Sequence, residues 1–248
     1  HMAILITGGT KGIGLGIAER FAGPDVTVLL NYANDDAAAQ AAADSVTALG
    51  GTPVLLKRDV SSSAGCEALL RDAAEHTDRV DQLVHAAVYP YATSLLTADP
   101  DELDRAVALN GTALVHLARA AVPMFQPGST VFFLSSRGSK VAVPSYGPIG
   151  APKALGEAFI RYLAVELADM GVRTHVVSAS LVLTDALRRL FGDAADDRAA
   201  AAAASNPMKR NVTEQDIAEV VHFLASPAAE MLTGRELFVD GGAYTMAR

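Results

Sequence analysis

The chain has 248 residues, half of them hydrophobic, and carries 20 Lys+Arg against 28 Asp+Glu for a formal net charge of −8. That apolar share is enough for a sizeable core and excludes disorder, while the acidic balance argues against a nucleic-acid backbone as partner. One cysteine, Cys66, excludes a disulfide framework and a Cys-rich zinc site, and no apolar run approaches the ~20 residues of a membrane span. No charged-then-apolar signal stretch opens the chain, and His1-Met2 reads as a cloning remnant. A cytoplasmic protein with no membrane and no metal is the expectation.

In chain order, strands are expected over 3–7, 26–31, 53–57, 82–86, 130–135, 173–178 and 236–239. Helices are expected over 15–22, 35–49, 64–76, 100–105 and onward to 124, 152–170 and 214–224. Runs such as 131–134 are apolar throughout rather than alternating, as strands buried on both faces require. Strands alternating with helices of this length imply parallel pairing through right-handed crossovers. The fold class is therefore α/β: a single doubly wound, Rossmann-like domain over 1–248, with a mostly parallel seven-stranded sheet and helices on both faces. Residues 185–210, with the alanine run 199–204, are too long for an ordinary connection and read as a helical lid over one end of the sheet. Residues 136–150, rich in Gly and Pro after a buried strand, read as an irregular segment of the kind that carries site residues.

Thr7-Gly8-Gly9-Thr10-Lys11-Gly12-Ile13-Gly14 follows the first strand and opens the first helix. Glycines allow a tight turn and close approach of backbone to a pyrophosphate, and free N–H groups at the helix start attract the anion. Gly8, Thr10, Lys11, Gly12, Ile13 and Gly14 are the expected dinucleotide-binding residues. An acidic residue at the end of the second strand would grip the ribose of NAD and repel a 2′-phosphate. Neutral Asn31 stands there and cationic Lys11 lies in the turn, which favours NADP(H) over NAD(H).

These pieces, with Asp59-Val60 after the third strand, Asn110, Ser135-Ser136 and Val239-Asp240-Gly241-Gly242, resemble the short-chain dehydrogenase/reductase family along nearly the whole chain. Most members carry Tyr-x-x-x-Lys with a serine upstream. Here Ser136 and Lys153 keep the family separation, but the position four before the lysine is Ile149. The nearby tyrosine is Tyr146, giving Tyr-x6-Lys, which is similar to the NADPH-using enoyl-acyl-carrier-protein reductases of type III. Reducing an enoyl thioester delivers hydride to the β-carbon while charge develops on an oxygen three bonds away, so the hydroxyl must stand farther from the nicotinamide.

The resemblance implies catalytic roles for Tyr146, Lys153 and Ser136, with Asn110 supporting a proton relay or a helix kink. It assigns Asp59 and Val60 to the adenine, Ala86 and Ala87 to the cofactor wall, Lys153 to the ribose, and Val182 and Thr184 to the carboxamide. It further implies a homotetramer built on helices 112–124 and 155–170, and an acyl thioester substrate, on coenzyme A or presented by acyl carrier protein. Arg188, Arg189, Lys209 and Arg210 flank the lid as candidate carrier contacts. Two alternatives stand beside the enoyl reductase: a ketoreductase of a specialised, polyketide-like pathway, and a non-catalytic NADP(H)-binding sensor. His85-Ala86-Ala87-Val88 stands where the family has Asn-Asn-Ala-Gly, and His85 reads as a core or turn histidine.

Overall fold

Every strand pairs in parallel with its neighbours, in the order β3-β2-β1-β4-β5-β6-β7. The computed structural model describes residues 1–246. The strands are β1 (Met2–Thr7), β2 (Val26–Tyr32), β3 (Thr52–Lys57), β4 (Gln82–His85), β5 (Thr130–Ser136), β6 (Arg173–Ala179) and β7 (Arg235–Val239). The sheet is thus all-parallel, where a mostly parallel one was expected.

The central strands are buried throughout because helices cover both faces. One face packs against α1 (Gly12–Phe21), α2 (Asp36–Ala48) and α9 (Glu214–Ala225), through Ile17, Val46 and Ile217. The other packs against α3 (Ser63–Ala74), α5 (Ala113–Ala121) and α6 (Gly147–Glu166), through Leu69, Leu117 and Ile160. Each fully buried Leu, Ile or Phe contributes roughly 1.5–3 kcal/mol relative to exposure. Local sequence fixes the helix starts: Asp35 caps α2 at Ala38 N, Ser62 caps α3 at Gly65 N, and Thr213 forms a capping box with Asp216 on α9.

The chain order reverses direction between β1 and β4, and the crevice at their carboxyl ends is where doubly wound sheets bind ligands. Three features shape that end. The helical stretch after α4 (Pro100–Val107) contains a π-helical turn over Ala108–Thr112 before α5. The expected lid is two helices, α7 (Asp185–Phe191) and α8 (Ala194–Ser205), separated by Gly192, at φ +53°, and Asp193. Helix α6 begins at Gly147, not at 152: Tyr146 is its N-cap residue, and the Tyr146 carbonyl accepts from Ile149 N at 3.0 Å and Gly150 N at 2.8 Å. Pro148 fits because a first-turn residue needs no N–H. Tyr146 is therefore fixed on a helix terminus rather than on the irregular lead-in expected from the prolines. No helix among the described residues is long and apolar enough to cross a membrane.

Candidate active site

The glycine turn lies between β1 and α1 as the motif requires. Gly8 has φ +65° and Gly12 φ +50°, and a Cβ on Gly14 would collide with the Gly8 carbonyl. The same turn touches the loop after β6, since a Cβ on Gly12 would meet the Thr184 side chain. This helix terminus at the point where the sheet reverses, closed by glycines that tolerate no side chain, fits a dinucleotide.

Beside it opens a cavity of about 910 Å³ whose wall includes Ile13, Ala86, Val182, Thr184, Ser136, Tyr146 and Lys153. Leu187 and Phe191 of α7 and Arg198 and Ala202 of α8 close another side. Ser136 Oγ and Tyr146 Oη lie 3.3 Å apart, and the Tyr146 ring rests so closely on Gly138 that a Cβ there would strike it. Tyr146 is the one tyrosine among the described lining residues. Ile149 also lines the cavity, aliphatic and 1% exposed. Lys153 is 5% exposed, and its Nζ donates to the Leu134 carbonyl at 2.6 Å over the Phe133 ring.

Burial sets the proton affinities here. It pulls the Lys153 ammonium down to about 8, with Glu157 acting in the opposite direction, and it raises the Tyr146 phenol above its ordinary 10, with Ser136 opposing. Tyr146 is therefore a protonated hydrogen-bond donor at neutral pH.

Two expected site residues have committed side chains. Asn31 is buried, and its amide donates to the Leu56 and Arg58 carbonyls at 3.0 Å each, tying β2 to β3. Its side chain serves the sheet. Asn110 is likewise buried within the π-helical turn. Its Oδ1 accepts from Tyr89 N at 2.7 Å and its Nδ2 donates to Tyr89 O at 3.1 Å. Both ends of the amide are engaged, and Asn110 is not among the cavity's lining residues. Asp59 is exposed and bonds Ser61 N, while Val60 is buried in the core beneath α3; neither lines the cavity.

His85 is the core histidine the sequence implied, and its bonds fix its tautomer. Nε2 lies 2.9 Å from the Leu109 carbonyl, an acceptor, so Nε2 carries the proton and Nδ1 accepts from Thr7 Oγ1 at 2.7 Å. Thr7 Oγ1 accepts in turn from Ala87 N at 3.3 Å. One imidazole thus links β1, β4 and the π-helical turn. Burial first, and the Lys153 charge second, push its pKa down to about 3 from 6.5, and burial pushes His175 down to about 4. The unfolded chain then takes up protons near pH 6.5 that the folded one refuses, so this contribution is full above 6.5 and is lost as pH falls toward 4 and 3. The thermal midpoint is expected to fall across that window, and His85→Asn to flatten the slope; an unchanged slope in the variant contradicts the assignment.

The sequence also left hidden a pair that bears on the cofactor. Lys11, the N-cap residue of α1, forms an ion pair with Asp35, the N-cap residue of α2, and holds that carboxyl below the carboxylate norm. Among the lid cations, Arg188 pairs with Asp196 at 2.9 Å and Arg210 with Asp216 at 2.6 Å. Half of the proposed carrier contacts are thus neutralised within the chain.

The family model described as Enoyl-(Acyl carrier protein) reductase matches residues 8–244. The chain belongs to the short-chain dehydrogenase/reductase family. Membership implies an oxidoreductase with a nicotinamide cofactor. A 1-cyclohexenylcarbonyl-CoA reductase of Streptomyces collinus is 32% identical, over 98% of this chain and 87% of that protein. A hydroxynaphthalene reductase of Aspergillus fumigatus is 29% identical, over 93% of this chain and 88% of its own length. Among solved structures, a short-chain dehydrogenase/reductase of Serratia marcescens superposes with a TM-score of 0.89 at 25% identity, covering 98% of this chain and 97% of that one.

Proposed function

We propose that this short-chain dehydrogenase/reductase is an NADPH-dependent reductase of the carbon–carbon double bond of an enoyl thioester. The observation that carries this reading is the exchange at the head of α6: the cavity's tyrosine is Tyr146, and an aliphatic side chain stands at Ile149, four before the lysine. When bound, the nicotinamide supplies hydride. The protein's part is to place the thioester and stabilise the charge that moves onto its oxygen. Tyr146 donates to that oxygen, and Ser136 steadies the phenol. Lys153 holds the cofactor ribose and keeps a positive charge near the developing enolate. The Streptomyces relative, named as a reductase of a cyclohexenylcarbonyl-CoA, supports a thioester whose acyl part is bulky and apolar. A second pocket of about 290 Å³ shares Tyr146, Gly138 and Val143 with the main cavity, and its Leu95 and Leu96 suit such an acyl group. Arg137, Arg198 and Lys209 on the main wall suit the phosphates of a coenzyme A or acyl-carrier pantetheine arm.

The preference for NADPH rests on Lys11 and on the lack of a carboxylate at Asn31. Asp35 competes with a 2′-phosphate for Lys11. Asp35→Asn keeps the cap on α2, because an asparagine carbonyl caps as well, and removes the competing charge. The variant is expected to bind NADPH a few-fold more tightly at low salt with NADH unchanged, and to lose that gain at high salt. Equal effects on both cofactors contradict the role given to Lys11.

A second reading, carbonyl reduction, is favoured by the Ser136–Tyr146 hydroxyl pair, which would also suit a ketone oxygen, and by the hydroxynaphthalene reductase relative. Loss of NADPH absorbance with crotonyl-CoA and with acetoacetyl-CoA separates the two. Turnover of crotonyl-CoA alone agrees with the proposal, and turnover of acetoacetyl-CoA alone replaces it with the ketoreductase. NADPH binding with neither substrate consumed, across acyl-CoA and acyl-carrier forms, points to the sensor.

A further inference from the structure

Behind the cavity wall lies a buried carboxylate that the reading above does not use. Glu157, 3% exposed, follows Lys153 by one turn of α6 on the face toward β5. Its Oε1 accepts from Ser135 Oγ at 2.5 Å and its Oε2 from Lys140 Nζ at 2.5 Å. Lys140 Nζ also reaches Glu236 Oε2 on β7 at 2.6 Å. With the Lys153–Leu134 bond, the contacts form two rungs: consecutive residues of β5, Leu134 and Ser135, are held by residues one turn apart on α6. The next residue on the strand is Ser136, whose hydroxyl meets Tyr146 at the start of the same helix. The ladder therefore sets the register between the strand end and the helix that carries Tyr146 and Lys153.

We propose that Glu157 is the positioning residue of this active site, locking α6 to the end of β5 and holding a fixed negative charge one helical turn from Lys153. A carboxylate buried in this way persists only when its oxygens are hydrogen-bonded and its charge is paired, and Ser135 and Lys140 meet both conditions. Lys153 has no carboxylate in direct hydrogen bond among the described residues; Glu157 is the acid that raises its proton affinity against burial.

The titratable and charged groups around the pair are His85 from β4, Tyr146 and Arg161 from α6, Lys140 from the turn after β5, Glu236 from β7 and Tyr244 after β7, whose phenol burial raises. His85 stays neutral, with its pKa near 3, and burial keeps Tyr146 protonated. Lys140 is raised by its two carboxylates, and Glu236, raised by burial, is held against Lys140. Lys153, near 8, is the group positioned to titrate between neutral and mildly alkaline pH.

The inference rests on Lys153 serving the reaction but not on which bond is reduced. The test therefore uses whichever thioester is turned over, together with NADPH binding followed by fluorescence. In Glu157→Gln the Lys140–Glu236 pair remains, so the fold is expected to persist. The basic limb of the kcat/KM profile should move down by about one pH unit. At neutral pH kcat should fall about tenfold with the thioester KM little changed, and NADPH affinity should weaken at a lower pH than in the wild type. Glu157→Asp, which keeps the charge but withdraws it by one methylene, should show a smaller shift in the same direction, and carries the test if the glutamine variant does not fold. A folded variant whose basic limb and NADPH-binding profile both match the wild type overturns the inference. If neither thioester is turned over, the proposed reaction fails, while the NADPH-binding profile still decides the role of Glu157.

Discussion

Tyr146→Phe is expected to lower kcat on an enoyl thioester by roughly a hundredfold to a thousandfold, the usual cost of removing one donor to a developing oxyanion. The effect falls on kcat because the hydroxyl interacts most strongly where charge has moved onto the thioester oxygen. The ring packs on Gly138 and stays in place without its hydroxyl, so the variant should fold and bind NADPH with unchanged affinity. The paired measurement is steady-state turnover together with cofactor titration. A variant within threefold of the wild type would remove Tyr146 from the chemistry, whereas weakened NADPH binding with normal kcat would make it a cofactor contact.

Gly14→Ala tests the cofactor seat. Its Cβ would be driven into the backbone of Gly8, an obstacle that no rotamer change relieves, so the turn between β1 and α1 must open. Overpacking of this kind costs about 1–3 kcal/mol, and where it distorts the pyrophosphate cradle the NADPH dissociation constant should rise roughly tenfold to a hundredfold. Gly23→Ala is the control: nothing lies within 4 Å of its Cβ position, and binding should not change. Equal affinities for the two variants would mean that the turn does not seat the cofactor.

Much of this architecture could be read from the sequence because the signals were periodic or compositional. Apolar runs with helices between them implied a parallel sheet, and the glycine turn was marked by its place after the first strand. What stayed hidden depended on where a polar side chain points. Asn31 and Asn110 were identified by position, yet their amides turn inward to carbonyls and N–H groups that only the folded backbone brings near. Helix α6 starts at Gly147 rather than at 152, because Pro148 takes the first-turn place that tolerates a proline and Pro152 lies inside the helix. Glu157 carried a faint signal, four residues after Lys153 on one helix face, but an i,i+4 pair of opposite charges on an exposed helix has the same spacing. Burial against β5 separates the two cases. The Lys11–Asp35 pair spans the whole of α1 and β2, a separation no local pattern reports.

The central claim is that hydride reaches the β-carbon of an enoyl thioester. The most direct test incubates the protein with NADPH deuterated at the transferring position and an equimolar mixture of crotonyl-CoA and acetoacetyl-CoA, then locates the label by mass spectrometry. The account predicts butanoyl-CoA with one deuterium at its β-carbon and no label in 3-hydroxybutanoyl-CoA. Label found only in 3-hydroxybutanoyl-CoA would contradict it.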